Sequence, residues 1–306
     1  MPNTEADLAA LLRQAERLFD RAGNFFDRLD RLVPAPAAAP DWAAHQAFRW
    51  RRQRDAGRIE AIAVPQNVIL DRLAGIEAQK QEVVRNTEQF INGLPANNLL
   101  LTGARGTGKS SLVKAMLPLF SKRGLRMIEV DKSQLADLAD ITARLAGQPW
   151  RFIIFCDDLS FEQDDAGYMA LKVALDGSLS ATPDNVLIYA TSNRRHLMPE
   201  FMQDNLASTA QGTEIHPGET VEEKTALSDR FGLWLSFWPF DQDTYLTCVR
   251  RWLDALDTPV QSEETLRHEA LQWALARGTR SGRSAWQFAR DFSGRQQLAK
   301  MDGPPG

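Results

Sequence analysis

Cysteine is scarce in this 306-residue chain, which holds only two: Cys156 inside an apolar run and Cys248 in a helical pattern. Neither is placed for a disulfide framework or a metal site, so both read as packing residues in a reducing compartment. A membrane-length apolar run is also missing, and the opening Met1-Pro-Asn-Thr-Glu-Ala-Asp7 has acids where a secretion signal carries bases. No membrane partner is expected, and the expected location is cytoplasmic. A strong positive balance is absent too. The net charge of -4 gives no global attraction to nucleic acid and leaves only local basic patches open. What remains, 43% hydrophobic and 25% charged residues, is a globular chain long enough for one large core and a smaller unit.

The most informative stretch is Gly103-Ala104-Arg105-Gly106-Thr107-Gly108-Lys109-Ser110, followed by Ser111. It fills every position of the phosphate-loop (Walker A) pattern G-x-x-x-x-G-K-[ST] and follows the apolar run from Leu99 to Leu101. Glycines at 103, 106 and 108 allow backbone angles that turn successive N–H groups toward an anion. Lys109 adds a mobile positive charge, and the Ser110 hydroxyl can ligate Mg²⁺. Ser111 to Phe120 read as a helix whose positive end faces the phosphates. The competing reading is a Gly-rich turn that happens to precede a lysine. The flanking strand and helix favour a nucleoside triphosphate site.

Three zones follow from composition. Residues 1–60 read as an N-terminal helical region with a Pro/Ala linker at 34–40. In it Leu8, Leu11, Leu12, Leu18, Phe19, Phe25 and Phe26 recur at helical spacing. A second helical segment is expected from Trp42 to Arg58, where Arg49, Arg51, Arg52, Arg54 and Arg58 are interleaved with Phe48 and Trp50. Such a cluster can grip a phosphate backbone, or it can be a solvated face with its aromatics packed inward. Residues 61–240 alternate apolar runs with helical patterns, the signature of a three-layer α/β core around a parallel, five-stranded sheet. Strands are expected near 98–102, 125–130, 152–156, 186–190 and 233–237, with helices near 133–146 and 167–177. Residues 241–306 show no strand signal and read as a small helical lid with a short Gly/Pro tail.

Two further elements carry chemistry. Phe152-Ile-Ile-Phe-Cys-Asp157-Asp158 is an apolar strand that delivers two carboxylates at its C-terminal end, where ligands of open α/β sheets bind. Asp157 can hold the Mg²⁺ shell as a Walker B acid, and Asp158 can polarise water; the alternative is a pair that caps the next helix. After the fourth core strand, Thr191-Ser192-Asn193 directs an amide toward the space between the first and third strands. Asn193 can hydrogen-bond the γ-phosphate or the lytic water, or serve as a turn former.

Together these residues resemble the AAA+ ATPase superfamily. The resemblance implies a sensor role for Asn193 and an arginine finger in Leu227-Ser-Asp-Arg230-Phe-Gly-Leu. It also implies a second sensor arginine in Arg277-Gly-Thr-Arg280-Ser-Gly-Arg283, with Arg280 preferred and Arg283 as alternate, and a base pocket lined by Ile76 and its neighbours in Leu73-Ala-Gly75-Ile76. From Ala47 to about Asp291 the chain resembles a bacterial AAA+ family classed as a domain of unknown function, loosely grouped with replication initiators and helicase loaders. Most AAA+ motors carry Glu where this chain has Asp158, one methylene shorter, which puts vigorous hydrolysis in doubt more than binding.

The resemblance implies ATP and Mg²⁺ as ligands. The function expected is that of an oligomeric ATPase, a ring being one arrangement, that remodels or loads a protein or nucleoprotein client. A nucleotide-gated adaptor with little hydrolysis is the alternative, and a phosphoryl transferase a third. The region after the second core strand, Asp131-Lys-Ser-Gln-Leu-Ala-Asp137, lacks the aromatic that protein-threading rings present, so unfoldase activity is not expected. No helix-turn-helix follows the lid, and nucleic acid binding is not indicated. The polar segment from Met202 to Thr225 is long for a compact domain and is expected to contact a partner.

Overall fold

Four runs of large apolar side chains become strands because their residues are buried on both faces, and a fifth, Leu233–Phe237, is a less buried strand at the sheet edge. Leu99, Leu100, Leu101, Phe152, Ile153, Ile154, Ile188 and Tyr189 are all fully buried. Each such side chain contributes about 1.5–3 kcal/mol on burial, more than the roughly 1 kcal/mol of a typical hydrogen bond, so the apolar pattern decides where the strands lie. The computed structural model describes residues 14–23, 25, 39–53, 56–63, 69–161, 165–176, 183–194 and 229–301. Its chain divides into a unit of residues 1–40 and a unit of residues 41–306. In the first, residues 14–23 are helical, with Leu18 and Phe19 exposed.

The second unit is built on a seven-stranded sheet. In chain order it contains β1 (Ala47–Gln53), β2 (Ala56–Ile62), α1 (Glu77–Ile91), β3 (Leu99–Gly103), α2 (Lys109–Phe120), β4 (Leu125–Glu129) and α3 (Leu138–Leu145). Then follow β5 (Arg151–Cys156), α4 (Ala166–Asp176), β6 (Val186–Ser192), β7 (Leu233–Phe237), α5 (Gln242–Ala255), α6 (Glu263–Ala276) and α7 (Gly282–Met301). The strand order is β2-β1-β4-β5-β6-β3-β7, with every neighbouring pair parallel except β1 and β2. One face of the sheet packs on α3 and α4 through Ile128, Phe152, Ile154 and Ile188, the other on α1 and α2 through Leu99, Leu101, Ile153 and Phe155. A separate core of Tyr245, Val249, Leu253, Leu266, Phe288 and Phe292 holds α5, α6 and α7 together as the lid.

The five strands β3 to β7 fall where the apolar runs predict them. Residues 42–58 do not form the expected helix: Ala47–Gln53 and Ala56–Ile62 are an antiparallel pair that extends the sheet to seven strands by pairing with β4. The period explains the correction. Phe48 and Trp50 point into the core while Arg49 and Arg51 lie on the other side, which is the two-residue alternation of a strand. Gly57 is required because a Cβ there would lie 1.8 Å from the Trp50 ring. Trp50 Nε1 donates to Asp137 (2.9 Å), which also pairs with Arg52 (2.7 Å). Arg49 pairs with Glu129 and Arg58 with Glu60, so with Arg52 three of the five arginines of the basic cluster are held in local ion pairs. Arg54 and most of the linker at 34–40 lie outside the described residues, as does the whole segment 202–225.

A buried polar network fixes the sheet under α1. Tyr189 Oη accepts from Asn86 Nδ2 (3.0 Å) and shares a hydrogen bond with Thr87 Oγ1 (2.9 Å), while Asn86 also clamps the backbone of Asn97 at the entry to β3. Burial pushes the Tyr189 phenol up to about 12, so it stays neutral and serves as a fixed strut.

Candidate functional site

β3 ends at Gly103, whose φ of +127° and close approach to β7 exclude any side chain: a Cβ would lie 1.9 Å from the Phe237 carbonyl oxygen. That approach lets Ala104 N–H donate to the same carbonyl (3.2 Å), which starts the turn. Thr107 Oγ1 closes it by donating to Ala104 O (2.8 Å). Gly108, with φ +100°, then starts α2, so the loop and the first turn of the helix leave their N–H groups facing one space.

Lys109 is 5% exposed, and its ammonium donates to Gly103 O (2.8 Å), Ala104 O (2.7 Å) and Asn193 Oδ1 (3.1 Å). All three of its donors are therefore engaged. Burial lowers its pKa to about 8, against the opposing pull of Asp158 and Asp157, while Arg105 lowers it further. An arriving polyanion would reverse that shift.

Ser110 Oγ and Thr191 Oγ1 both donate to Asp157 Oδ1, at 2.5 and 2.6 Å. Asp158 follows the end of β5 with a φ of 54°, a left-handed conformation that Asp tolerates better than most side chains. Its backbone N–H donates to Thr191 Oγ1 (3.0 Å), and Asn193 Nδ2 donates to its carboxylate. β6 lies between β5 and β3, so the side chains after β6 meet both the acids and the phosphate loop. Asn193 bridges them, touching Lys109 through its oxygen and Asp158 through its nitrogen.

These residues line one end of a cleft of about 610 Å³, with Arg105, Gly106, Thr107, Gly108 and Ser111 around the loop. The lid closes the other end with Phe240, Cys248, Trp252, Arg283 and Trp286, opposite Arg72, Leu73 and Ala74. The start of α7 rests on the loop: a Cβ on Gly106 would meet Ser281 at 3.0 Å and Arg283 at 3.4 Å.

Two expectations land differently, those for Arg280 and Ile76. Arg283 lines the cleft, whereas the preferred Arg280 is exposed and outside it, because the reciprocal Ser281 and Ser284 cap at the start of α7 turns the chain between them. Ile76 is buried beneath the loop, 3.5 Å from where a Gly108 Cβ would stand, and its neighbours Leu73 and Ala74 line the cleft in its place. Arg230 is outside the cleft of its own chain and pairs with Asp176 at the end of α4. Trp252 and Trp286 were missed, since aromatics in an amphipathic helix carry no sign of whether they face a core or a cleft, and Phe240 was missed because it lies in the short connection between β7 and α5, outside any motif. Among the described residues no cluster of three His, Cys, Asp or Glu side chains is arranged to hold a metal by itself, and no helix is long and apolar enough to cross a membrane.

The family model described as "Protein of unknown function (DUF815)" matches residues 43–296, most of the chain, and the chain belongs to that family. No curated protein matches it in sequence. Among solved structures it is similar to the Aeropyrum pernix ORC1 protein in complex with DNA, at 17% identity and a TM-score of 0.52 over 79% of this chain and 64% of that one. It is also similar to a point mutant of Thermotoga maritima RuvB, at 16% identity and a TM-score of 0.51 over 78% of this chain and 68% of that one. The chain thus spans about two thirds of the length of each. At such identities the likeness shows the fold, that of the AAA+ P-loop NTPases.

Proposed function

We propose that this DUF815 family member binds ATP with Mg²⁺ in the cleft and hydrolyses it, as an oligomer that remodels or loads a protein or nucleoprotein partner. The observation that carries the reading is the meeting of Lys109, the Ser110–Asp157 pair and the Asp158–Asn193 pair at one end of the cleft. The donor set fits Mg²⁺: a hydroxyl and a carboxylate oxygen 2.5 Å apart are hard ligands on rigid elements, and Ser110 and Asp157 would hold the ion. Bound there, Mg²⁺ would supply charge neutralisation for the phosphates.

The chain's own residues do the rest. The loop N–H groups and Lys109 hold the phosphates. Asp158 accepts a proton from the attacking water, which Asn193 orients. Arg230 leaves Asp176 and serves the site of a neighbouring subunit, where its guanidinium offsets charge developing on the γ-phosphate.

The alternative, a nucleotide-gated adaptor with little turnover, draws support from one contact. The Asp158 carboxylate is already engaged by Asn193, and its side chain is one methylene shorter than a Glu. ATP hydrolysis measured across protein concentrations separates the two. Turnover should rise more than linearly with concentration, vanish in Arg230→Ala and in Asp158→Asn alone, and return when those two variants are mixed. ATP binding without turnover in any sample would sink the ATPase reading and leave the adaptor.

A further inference from the structure

The N-terminal unit carries an apolar pattern that the cleft does not use. Positions 8, 11, 15, 18, 22, 25, 29 and 32 are all Leu, Ala or Phe, a seven-residue repeat of alternating three- and four-residue steps that runs until Pro34. Set against the 3.6 residues of a helical turn, such a repeat stays on one side only if the helix supercoils around other helices. Residues 14–23 and 25 are helical, and Leu8, Leu11, Leu29 and Leu32 lie outside the described residues. Leu18 is 66% exposed and Phe19 74%, so the described part of the stripe presents large apolar side chains to water, a cost that a covering surface would remove.

The rows beside the stripe say what that surface is. On one flank Leu12, Phe19, Phe26 and Val33 add a third apolar row. Two rows make the seam of a coiled-coil pair, whereas three make the face of a helix inside a bundle. On the other flank stand Asp7, Gln14, Arg21 and Arg28. Between parallel copies this polar row would face the neighbour's apolar third row, with no acid opposite its arginines. Between antiparallel copies it faces itself reversed, which brings Asp7 beside Arg28 and Gln14 beside Arg21. The same alignment sets Ala15 level with Leu18 and Ala22 level with Leu11, so each small core residue meets a large one. The stretch is complementary in charge and in volume to its own reverse.

We infer that residues 8–32 are a self-association helix whose partners are the same helix of other copies of this chain, packed antiparallel in a bundle. The run from Pro34 to Pro40 separates this helix from the nucleotide-binding unit. The inference goes beyond the reading of the cleft and does not depend on it. Copies joined this way associate without nucleotide, through a contact different from the one proposed for Arg230.

Sedimentation velocity of the full chain without nucleotide, over a range of protein concentrations, tests this. The wild type should sediment as a multiple of the 34.3 kDa chain, and so should Lys109→Ala, which lacks the phosphate-binding ammonium. Leu11→Glu with Leu18→Glu places unpaired charges inside the bundle and should weaken association by about a hundredfold or more, while the melting temperature of the larger unit stays where it is. Arg17→Glu, outside the apolar rows, should associate as the wild type does. Asp7→Arg should weaken association about two- to fivefold at low salt, and adding Arg28→Asp should restore it. A wild type that is monomeric at every concentration, or a double glutamate variant that associates normally, would overturn the inference. So would assembly that needs ATP and is lost in Lys109→Ala, which would put the contact at the cleft. A monomeric wild type whose larger unit melts lower in the double glutamate variant would mean that the helix covers its own chain. Failure of Arg28→Asp to rescue Asp7→Arg would overturn the antiparallel alignment.

Discussion

The phosphate loop at one end of the cleft is made by consecutive residues, Gly103 to Ser110, whereas the aromatic end gathers Arg72, Leu73, Phe240, Trp252 and Trp286 from opposite parts of the chain. The first end works through backbone: N–H groups and carbonyls whose directions are set by glycine dihedrals, with β7 pressed against Gly103. The second works through side chains on helices, whose direction depends on how the lid packs. A backbone site tolerates almost no change at its glycines, and a side-chain site should yield gradually as single contacts are removed.

The sharpest way to break that contrast is a methyl group at Gly103. Its Cβ would stand 1.9 Å from the Phe237 carbonyl oxygen and 2.8 Å from the carbonyl carbon, and backbone cannot swing aside as a side chain can. Strain at a positive φ together with overpacking is expected to cost Gly103→Ala about 3 kcal/mol, which for a unit of this size lowers the melting temperature by about 6–12 °C. Triphosphate binding should be lost with it, because the Ala104 hydrogen bond that starts the loop must break. Gly147 is the control. It has a φ of +73° with nothing within 4 Å of a Cβ, so Gly147→Ala should cost only about 1 kcal/mol and leave binding intact. Equal melting shifts in the two variants would show that contact with β7 is not what constrains the loop.

A smaller effect separates the two lid arginines. Arg283 lines the cleft beside Gly106, and an arginine–phosphate hydrogen bond contributes about 1.5–3 kcal/mol, so Arg283→Ala should weaken ATP binding about tenfold or more. Arg280 is exposed and outside the cleft, and Arg280→Ala should change affinity less than about twofold. The reverse order would mean that the lid turns by several residues when nucleotide binds.

That division of backbone from side chain also explains what the sequence could tell. The loop, the β5 acids and Asn193 were legible because each lies at the end of a fully apolar run, and in a parallel sheet such runs deliver their last residues to one edge. The β1–β2 hairpin departs from the helix expected over Trp42 to Arg58 because the segment's own pattern, Phe48-Arg49-Trp50-Arg51, alternates by two and buries both aromatics on one side. The choice between Arg280 and Arg283 hung on where α7 begins, and helix boundaries follow capping contacts such as Ser281 with Ser284 that spacing does not reveal. The aromatic end was invisible for a different reason: Trp252 and Phe288 both fit an amphipathic helix, and only the packed lid shows that one faces the cleft and the other the core.

The smallest expected effect probes the phosphate end alone and turns on one proton. Burial holds the Lys109 pKa near 8 before nucleotide arrives, so the ammonium that a triphosphate needs is mostly present at pH 7 and mostly gone at pH 8.5. A bound polyanion raises that pKa, and binding above pH 8 must therefore take up a proton. ATP affinity should fall about fourfold between pH 7 and 8.5, the ratio of the protonated fractions, and titrations in two buffers of different ionisation enthalpy should record uptake of most of a proton at the higher pH. Lys109→Arg, whose guanidinium keeps its charge throughout this range, should bind less tightly but lose the pH dependence. A pH profile shared by the wild type and Lys109→Arg would place the titrating group elsewhere and remove the buried lysine from the account of phosphate binding. A profile that moved instead with Trp286→Leu would mean that the lid and the loop hold the nucleotide jointly, and the separation between the two ends would have to be abandoned.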